Sequence, residues 1–178
     1  MNDSVSVLFT EEQIDKRIRE MGSRISRDFE GEEITLVCIL KGASFFACEL
    51  AKRITIPVYM EFMSVSSYGN AASSSGDVKL INDLTGCVEG KNVLIAEDII
   101  DSGRTLDYLI NSFKDRGAKT VKICALLSKP SRRVIDVTAD YLGYEIPDKF
   151  VVGYGLDYAQ KYRNLPYIGV IDTEQADI

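Results

Sequence analysis

Val93-Leu94-Ile95-Ala96-Glu97-Asp98-Ile99-Ile100-Asp101-Ser102-Gly103-Arg104-Thr105-Leu106 is the stretch whose reading decides the fold. An apolar strand runs into three carboxylates within five residues, then into a Ser-Gly-Arg-Thr turn, then into a helix. Carboxylates crowded at a strand end are costly to desolvate and repel one another unless a cation or ligand hydroxyls compensate. The turn behind them would aim successive backbone amides and two hydroxyls at one point, with a helix dipole in support. That is a cradle suited to a phosphate monoester. Acids beside a phosphate cup suggest a ligand carrying phosphate together with vicinal hydroxyls or Mg²⁺, such as a phosphorylated sugar. The same spacing also suits a solvated loop with an ordinary helix cap. Neither G-x-x-x-x-G-K-[ST] nor G-x-G-x-x-G is present.

Working outward, buried-strand runs recur on both sides of this motif. ITLVCIL (Ile34 to Leu40) and TVKICALL (Thr120 to Leu127) are near-continuous apolar stretches, as expected of strands covered on both faces. A helix of roughly Ala43 to Arg53 and a strand of Pro57 to Val65 follow the first run. A helix of roughly Leu106 to Arg116, capped by Gly117, precedes the second. Upstream, Thr10 and Gln13 form a capping box for a helix whose Ile14, Ile18, Met21 and Ile25 recur at helical spacing until Phe29 and Gly31. Shorter strands are expected around Tyr141 to Tyr144, Phe150 to Gly153 and Tyr167 to Ile171. Strand–helix alternation implies parallel βαβ units, an α/β fold with a mainly parallel twisted sheet flanked by helices. Ligands in such sheets bind beyond the carboxyl ends of the strands. Between about residues 66 and 79 lies a Ser-, Gly- and Ala-rich segment with few apolar anchors, which reads as a mobile loop.

The chain has 178 residues, 46% of them hydrophobic and 27% charged, with 21 basic against 27 acidic and a net charge of -6. That suits one soluble domain and argues against nucleic acid or an anionic membrane as a partner recognised through bulk charge. There is no His and no Trp, which excludes Ser-His-Asp and Cys-His chemistry and imidazole metal sites. Acid–base work falls to Asp, Glu, Lys, Tyr or Cys, and a metal site would use oxygen ligands, as Mg²⁺ accepts. Cys38, Cys48, Cys87 and Cys124 include no Cys-x-x-Cys pair. No basic residue precedes Lys16 and no apolar run approaches the roughly 20 residues of a bilayer span. A reduced, cytoplasmic, soluble protein is expected.

The Val93–Leu106 stretch resembles the phosphoribosyl pyrophosphate signature of the type I phosphoribosyltransferases: apolar residues, two acids, two apolar residues, then Asp-[Ser/Thr]-Gly-x-Thr. Leu40-Lys41-Gly42, the Ser67-Tyr68 loop ending in Gly76-Asp77, Leu127-Ser128-Lys129, and IPDKFVVGYGLDYAQKYRNLPYIGVI (Ile146 to Ile171) are similar to the hypoxanthine-guanine phosphoribosyltransferase branch. The resemblance implies the type I fold as a single domain over residues 1–178. Its core would span about 34–145, a small hood 1–30 and 146–178, and a mobile active-site loop 66–79.

It implies roles as well. Glu97 and Asp98 would meet the ribose hydroxyls, directly or through Mg²⁺. Asp101 would take the purine N7 proton and, with Ser102, Gly103, Arg104 and Thr105, hold the 5′-phosphate. Lys41 and Gly42, next to a non-proline cis peptide, and Arg163 would contact pyrophosphate. Lys129 would donate to the purine O6, Phe150 would stack on the base, and Val151 would meet its edge. Asp157, beside the purine, would hold a second Mg²⁺, and Ser67 and Tyr68 would belong to the closing loop. The implied reaction is Mg²⁺-dependent transfer of phosphoribosyl from phosphoribosyl pyrophosphate to N9 of hypoxanthine or guanine, by a homodimer or homotetramer. Each residue also has a plainer reading: Lys129 a solvated loop lysine, Phe150 a core aromatic, Asp157 and Arg163 an exposed ion pair, Lys41 the start of a helix. Tyr154, Tyr158 and Tyr162 read as a packing stripe. Two other functions stay open: a xanthine- or guanine-preferring transferase, and an RNA-binding regulator on the same fold.

Overall fold

The Thr10 hydroxyl accepts the Gln13 amide at 3.3 Å while Gln13 Oε1 accepts the Thr10 amide at 2.9 Å. This reciprocal box satisfies two amides that would otherwise be orphaned, with Glu11 and Glu12 favourably placed in the first turn. The computed structural model, which describes residues 5–67 and 78–171, therefore begins with a strand β1 (Val5–Phe9) leading into helix α1 (Glu11–Asp28). Then follow β2 (Ile34–Leu40), α2 (Ser44–Ala51), β3 (Val58–Ser67), β4 (Val78–Asn82), β5 (Asn92–Ile100), α3 (Arg104–Asp115) and β6 (Thr120–Ser128). A 3-10 turn, Pro130–Arg132, precedes β7 (Tyr141–Glu145), β8 (Val151–Val152) and β9 (Ile168–Ile171).

Six strands form the main sheet in the order β4-β3-β2-β5-β6-β7, all parallel except β4, which pairs antiparallel with β3. The side-chain alternation of a strand explains why both faces are covered. Ile34, Leu36 and Cys38 of β2, with Leu94 and Ala96 of β5, pack on one face with Ile14, Ile18 and Ile25 of α1 and Phe46 and Leu50 of α2. Val37, Ile39, Val93 and Ile95 point the other way, onto Leu106, Leu109 and Phe113 of α3. A three-stranded sheet, β1-β9-β8, joins the two ends of the described chain.

Four details depart from the sequence reading. β1 was not expected, and β4 opens inside the segment read as a loop. Ser66 and Ser67 pair with Lys79 and Val78, so 66–67 and 78–79 are strand, and residues 68–77 lie outside the described residues. β5 runs two residues past Asp98, because Ile99 and Ile100 keep pairing with Leu127 and Ser128 of β6. The tyrosine stripe does not exist. Tyr154 and Tyr162 have φ of 51° and 73°, as Ala159 and Gln160 have 50° and 67°, so the segment is a chain of tight turns and not a helix with one face. Among the described residues no helix is long and apolar enough to cross a membrane. All four cysteines are free, with Cys38 and Cys124 in the core.

Candidate active site

From β2 the chain crosses to β3 on one side of the sheet, and from β5 it crosses to β6 on the other. A crevice opens between the carboxyl ends of two strands whose connections diverge in this way. Here it is a cleft of about 510 Å³ lined by Gly42, Glu97, Asp98, the whole Asp101–Thr105 turn, Asp157 and Arg163. The three carboxylates of the opening motif all line it.

Close backbone approach makes this possible. The peptide between Leu40 and Lys41 is cis, and a Cβ on Gly42 would overlap the Asp98 carboxylate. A Cβ on Gly155 would in turn strike the carbonyl of Gly42, so the end of β2, the end of β5 and the C-terminal loop meet only through glycines. Glu97 is 9% exposed. Burial, then repulsion by Asp98, holds its carboxyl well above the ordinary range, and burial raises Asp98 as well. A buried acid pair of this kind calls for positive charge. Among the described residues no group of three or more Cys, Asp or Glu converges on a metal position. Glu97 and Asp98 are hard oxygen donors that fit an ion such as Mg²⁺, which binds through one or two carboxylates and fills its shell with water and ligand oxygens.

The Asp101–Thr105 turn is clamped from outside. Gly103 caps α3 at φ +86°, and a Cβ there would press on the Ile135 carbonyl at 2.6 Å. The Val134 and Ile135 amides both donate to the Ser102 carbonyl, at 2.9 and 3.0 Å. The Arg104 amide donates to Ser102 Oγ at 3.4 Å, and the Arg104 side chain is exposed.

Lys129, Phe150, Val151 and Lys41 do not line this cleft. Lys129 is not a solvated loop lysine: it is buried, its amide donates to the Ile100 carbonyl at 2.9 Å, and its Nζ lies 3.6 Å from Asp148 Oδ1. Nor is Phe150 a core aromatic, being 43% exposed and edge-on to Tyr158 at 5.4 Å. Val151 is buried in β8 opposite Val170. Lys41 is exposed, its Nζ 3.4 Å from Gln160 Oε1. The Asp157–Arg163 pair, at 2.7 Å, is half-buried. Arg163 also donates to the Gly155 carbonyl at 2.6 Å, and Asp157 Oδ2 accepts the Gln160 amide at 2.7 Å. Ser67 ends β3, and Tyr68 lies outside the described residues.

The sequence reading missed Arg132, Arg133 and Asp148. Arg132 Nε donates to Asp101 Oδ1 at 2.7 Å and its NH1 lies 3.4 Å from Asp148 Oδ2. Arg133 donates to the Asp101 carbonyl at 2.6 Å and to Ser128 Oγ at 2.8 Å. Lys129, Asp148, Arg132 and Asp101 thus form one string of alternating charge. The signal in the sequence is Lys129-Pro130-Ser131-Arg132-Arg133, three cations in five residues of an acidic chain directly after a strand.

A model of the phosphoribosyl transferase domain matches residues 4–159. The hypoxanthine-guanine phosphoribosyltransferase of Bacillus subtilis is 52% identical over 170 residues, 96% of this chain and 94% of that protein. The bifunctional protein TilS/HprT of Listeria monocytogenes is 51% identical over 173 residues, 97% of this chain, which spans only 27% of that protein's length. A crystal structure of a hypoxanthine phosphoribosyltransferase from Staphylococcus aureus matches with a TM-score of 0.92 at 45% identity, covering 97% of this chain and 94% of that one.

Proposed function

The chain belongs to the phosphoribosyl transferase family, and from that membership we propose that it salvages 6-oxopurines. It transfers the 5-phosphoribosyl group of phosphoribosyl pyrophosphate to N9 of hypoxanthine or guanine, releasing pyrophosphate and giving the nucleoside 5′-monophosphate. The observation that carries the proposal is the cleft that Glu97, Asp98, the Asp101–Thr105 turn, Arg163 and Asp157 line together.

The Ser102–Thr105 turn, at the start of α3, holds the 5′-phosphate by backbone amides and hydroxyls. Glu97 and Asp98 receive the ribose hydroxyls and would hold Mg²⁺, whose contribution there would be to neutralise charge on the pyrophosphate leaving group. Asp157 would take part in a second Mg²⁺ site through lone pairs that its contacts to Arg163 and Gln160 leave over, a carboxylate offering about four. Arg163, Lys41 and the Gly42 backbone meet the pyrophosphate, an anion that accumulates charge as the bond to C1′ breaks. Asp101 takes the proton from the purine N7. Its Oδ1 is occupied by Arg132, while Oδ2 has no partner among the described residues. A positioned base of this kind is worth about 10²- to 10⁴-fold. At the other end of the charge string, Lys129 donates to the purine O6, Phe150 offers an exposed ring face for stacking, and Val151 reads the base edge through its backbone.

The test is direct. The purified chain, given phosphoribosyl pyrophosphate, Mg²⁺ and hypoxanthine, should release pyrophosphate and inosine 5′-monophosphate in equal amounts, and chelation should stop both. Absence of nucleotide in the presence of Mg²⁺ would remove the proposal.

A further inference from the structure

We propose that Arg132 is a positioning residue of the transfer. It holds Asp101 in the orientation that presents its second oxygen to the purine proton, and it ties that carboxylate through Asp148 to the base-reading Lys129. The inference rests on the functional reading above and adds a residue to it.

Three observations carry it. First, Arg132 meets Asp101 through Nε at 2.7 Å and Asp148 through NH1, at 3.5 Å to Oδ1 and 3.4 Å to Oδ2. A planar guanidinium gripped by two carboxylates has its plane fixed, and it fixes the carboxylate it grips. Second, Asp148 Oδ1 also lies 3.6 Å from Lys129 Nζ, so the group that would sense the purine O6 and the group that would take the N7 proton share one pair of linking side chains. Third, the backbone beneath this string is stapled. Lys129 N bonds Ile100 O, Val134 N and Ile135 N bond Ser102 O, and Arg133 bonds the Asp101 carbonyl. The Asp101 main chain is therefore held by Arg133 and its neighbours, which leaves its side-chain torsion as the freedom that Arg132 removes.

The Arg132–Asp101 pair is half-exposed, at 51% and 46%. Ion pairs this open contribute little to stability, so Arg132 variants should fold. A 1 Å misplacement of a reacting group can nevertheless cost about 10²-fold in rate.

The experiment compares wild type with Arg132→Gln and Arg132→Ala in steady-state turnover of hypoxanthine and of 8-azahypoxanthine, whose extra ring nitrogen makes the departing proton more acidic. Thermal unfolding serves as a check on the fold. The expected result is a kcat for hypoxanthine lower by about ten-fold or more and a KM for phosphoribosyl pyrophosphate within about two-fold of wild type. The deficit should be clearly smaller with 8-azahypoxanthine, which relies less on the base. A merely structural role would slow both purines equally. Equal deficits, or wild-type kcat in both variants, overturn the inference. A wild-type chain that turns over neither purine overturns the functional reading instead.

Discussion

At Glu97 and Asp98 the chain draws two neighbouring carboxylates away from water, Glu97 buried and Asp98 half-buried, and that burial raises the pKa of both. A carboxyl whose folded pKa lies above its unfolded value favours folding only below that unfolded value, about 4.3 for Glu, and loses the contribution as pH rises through the folded value. In chelator near neutral pH, Glu97 therefore works against the fold. Glu97→Gln, neutral and of the same shape, should raise the melting temperature there by about 2–4 °C per kcal/mol relieved, and the gain should fade as pH drops toward about 4. Differential scanning calorimetry across that range checks both the sign and the trend. A melting temperature below wild type at every pH would contradict it. At the other end of the site, Lys129→Gln loses the cation proposed to donate to the purine O6. Its hypoxanthine-over-adenine preference in kcat/KM should fall by about ten-fold or more while the KM for phosphoribosyl pyrophosphate stays near wild type. Residue types were legible here where local chemistry is dense. Three acids in five residues, followed by Ser-Gly-Arg-Thr, announce themselves. Arg132 and Asp148 were not legible, because 16 positions separate them and only the bend after β6 brings them to 3.4 Å.

Elements were read well where burial is two-sided. Ile34–Leu40 and Thr120–Leu127 are near-continuous apolar runs, and β2 and β6 lie on them, with β6 one residue longer. The misses have a common physical cause. β1 and β4 owe their strand state to partners far along the chain, β9 for one and β3 for the other, and Val7 and Ile81 remain exposed at 55% and 59%. One-sided edge strands carry a weaker apolar signal than central ones. The tyrosines at 154, 158 and 162 misled because helical spacing counts only where the backbone is helical, and four residues here adopt positive φ without being glycine. Glycine positions set the joints between elements. Gly42→Ala would drive a methyl group into the Asp98 carboxylate, so turnover should drop by at least about 10²-fold with the far-ultraviolet circular dichroism unchanged. Turnover near wild type would mean that Asp98 can move aside at no cost to the reaction.

The whole molecule places its chemistry between two sheets. The main sheet supplies Glu97, Asp98 and the Asp101–Thr105 turn, while the β1-β9-β8 sheet carries the loop that brings Asp157 and Arg163 to the same cleft. The terminal segments are fastened to the core by Arg17, which donates to the Gly143 and Leu142 carbonyls at 3.0 and 2.7 Å. Phe9 also stacks on Tyr144 at 4.1 Å. Composition fixed the class of this site more than its details. Without histidine, carboxylates were left as the leading candidates for the proton acceptor. A net charge of -6 does not forbid an anionic substrate when amides, bound cations and a few placed side chains act at close range inside a screened field. The most direct test of the account is the comparison of kcat/KM for hypoxanthine, guanine, xanthine and adenine at saturating phosphoribosyl pyrophosphate and Mg²⁺. Hypoxanthine and guanine should both be converted to their nucleotides, with adenine lower by at least about 10²-fold. Adenine used as readily as hypoxanthine, or no purine used at all, would contradict it.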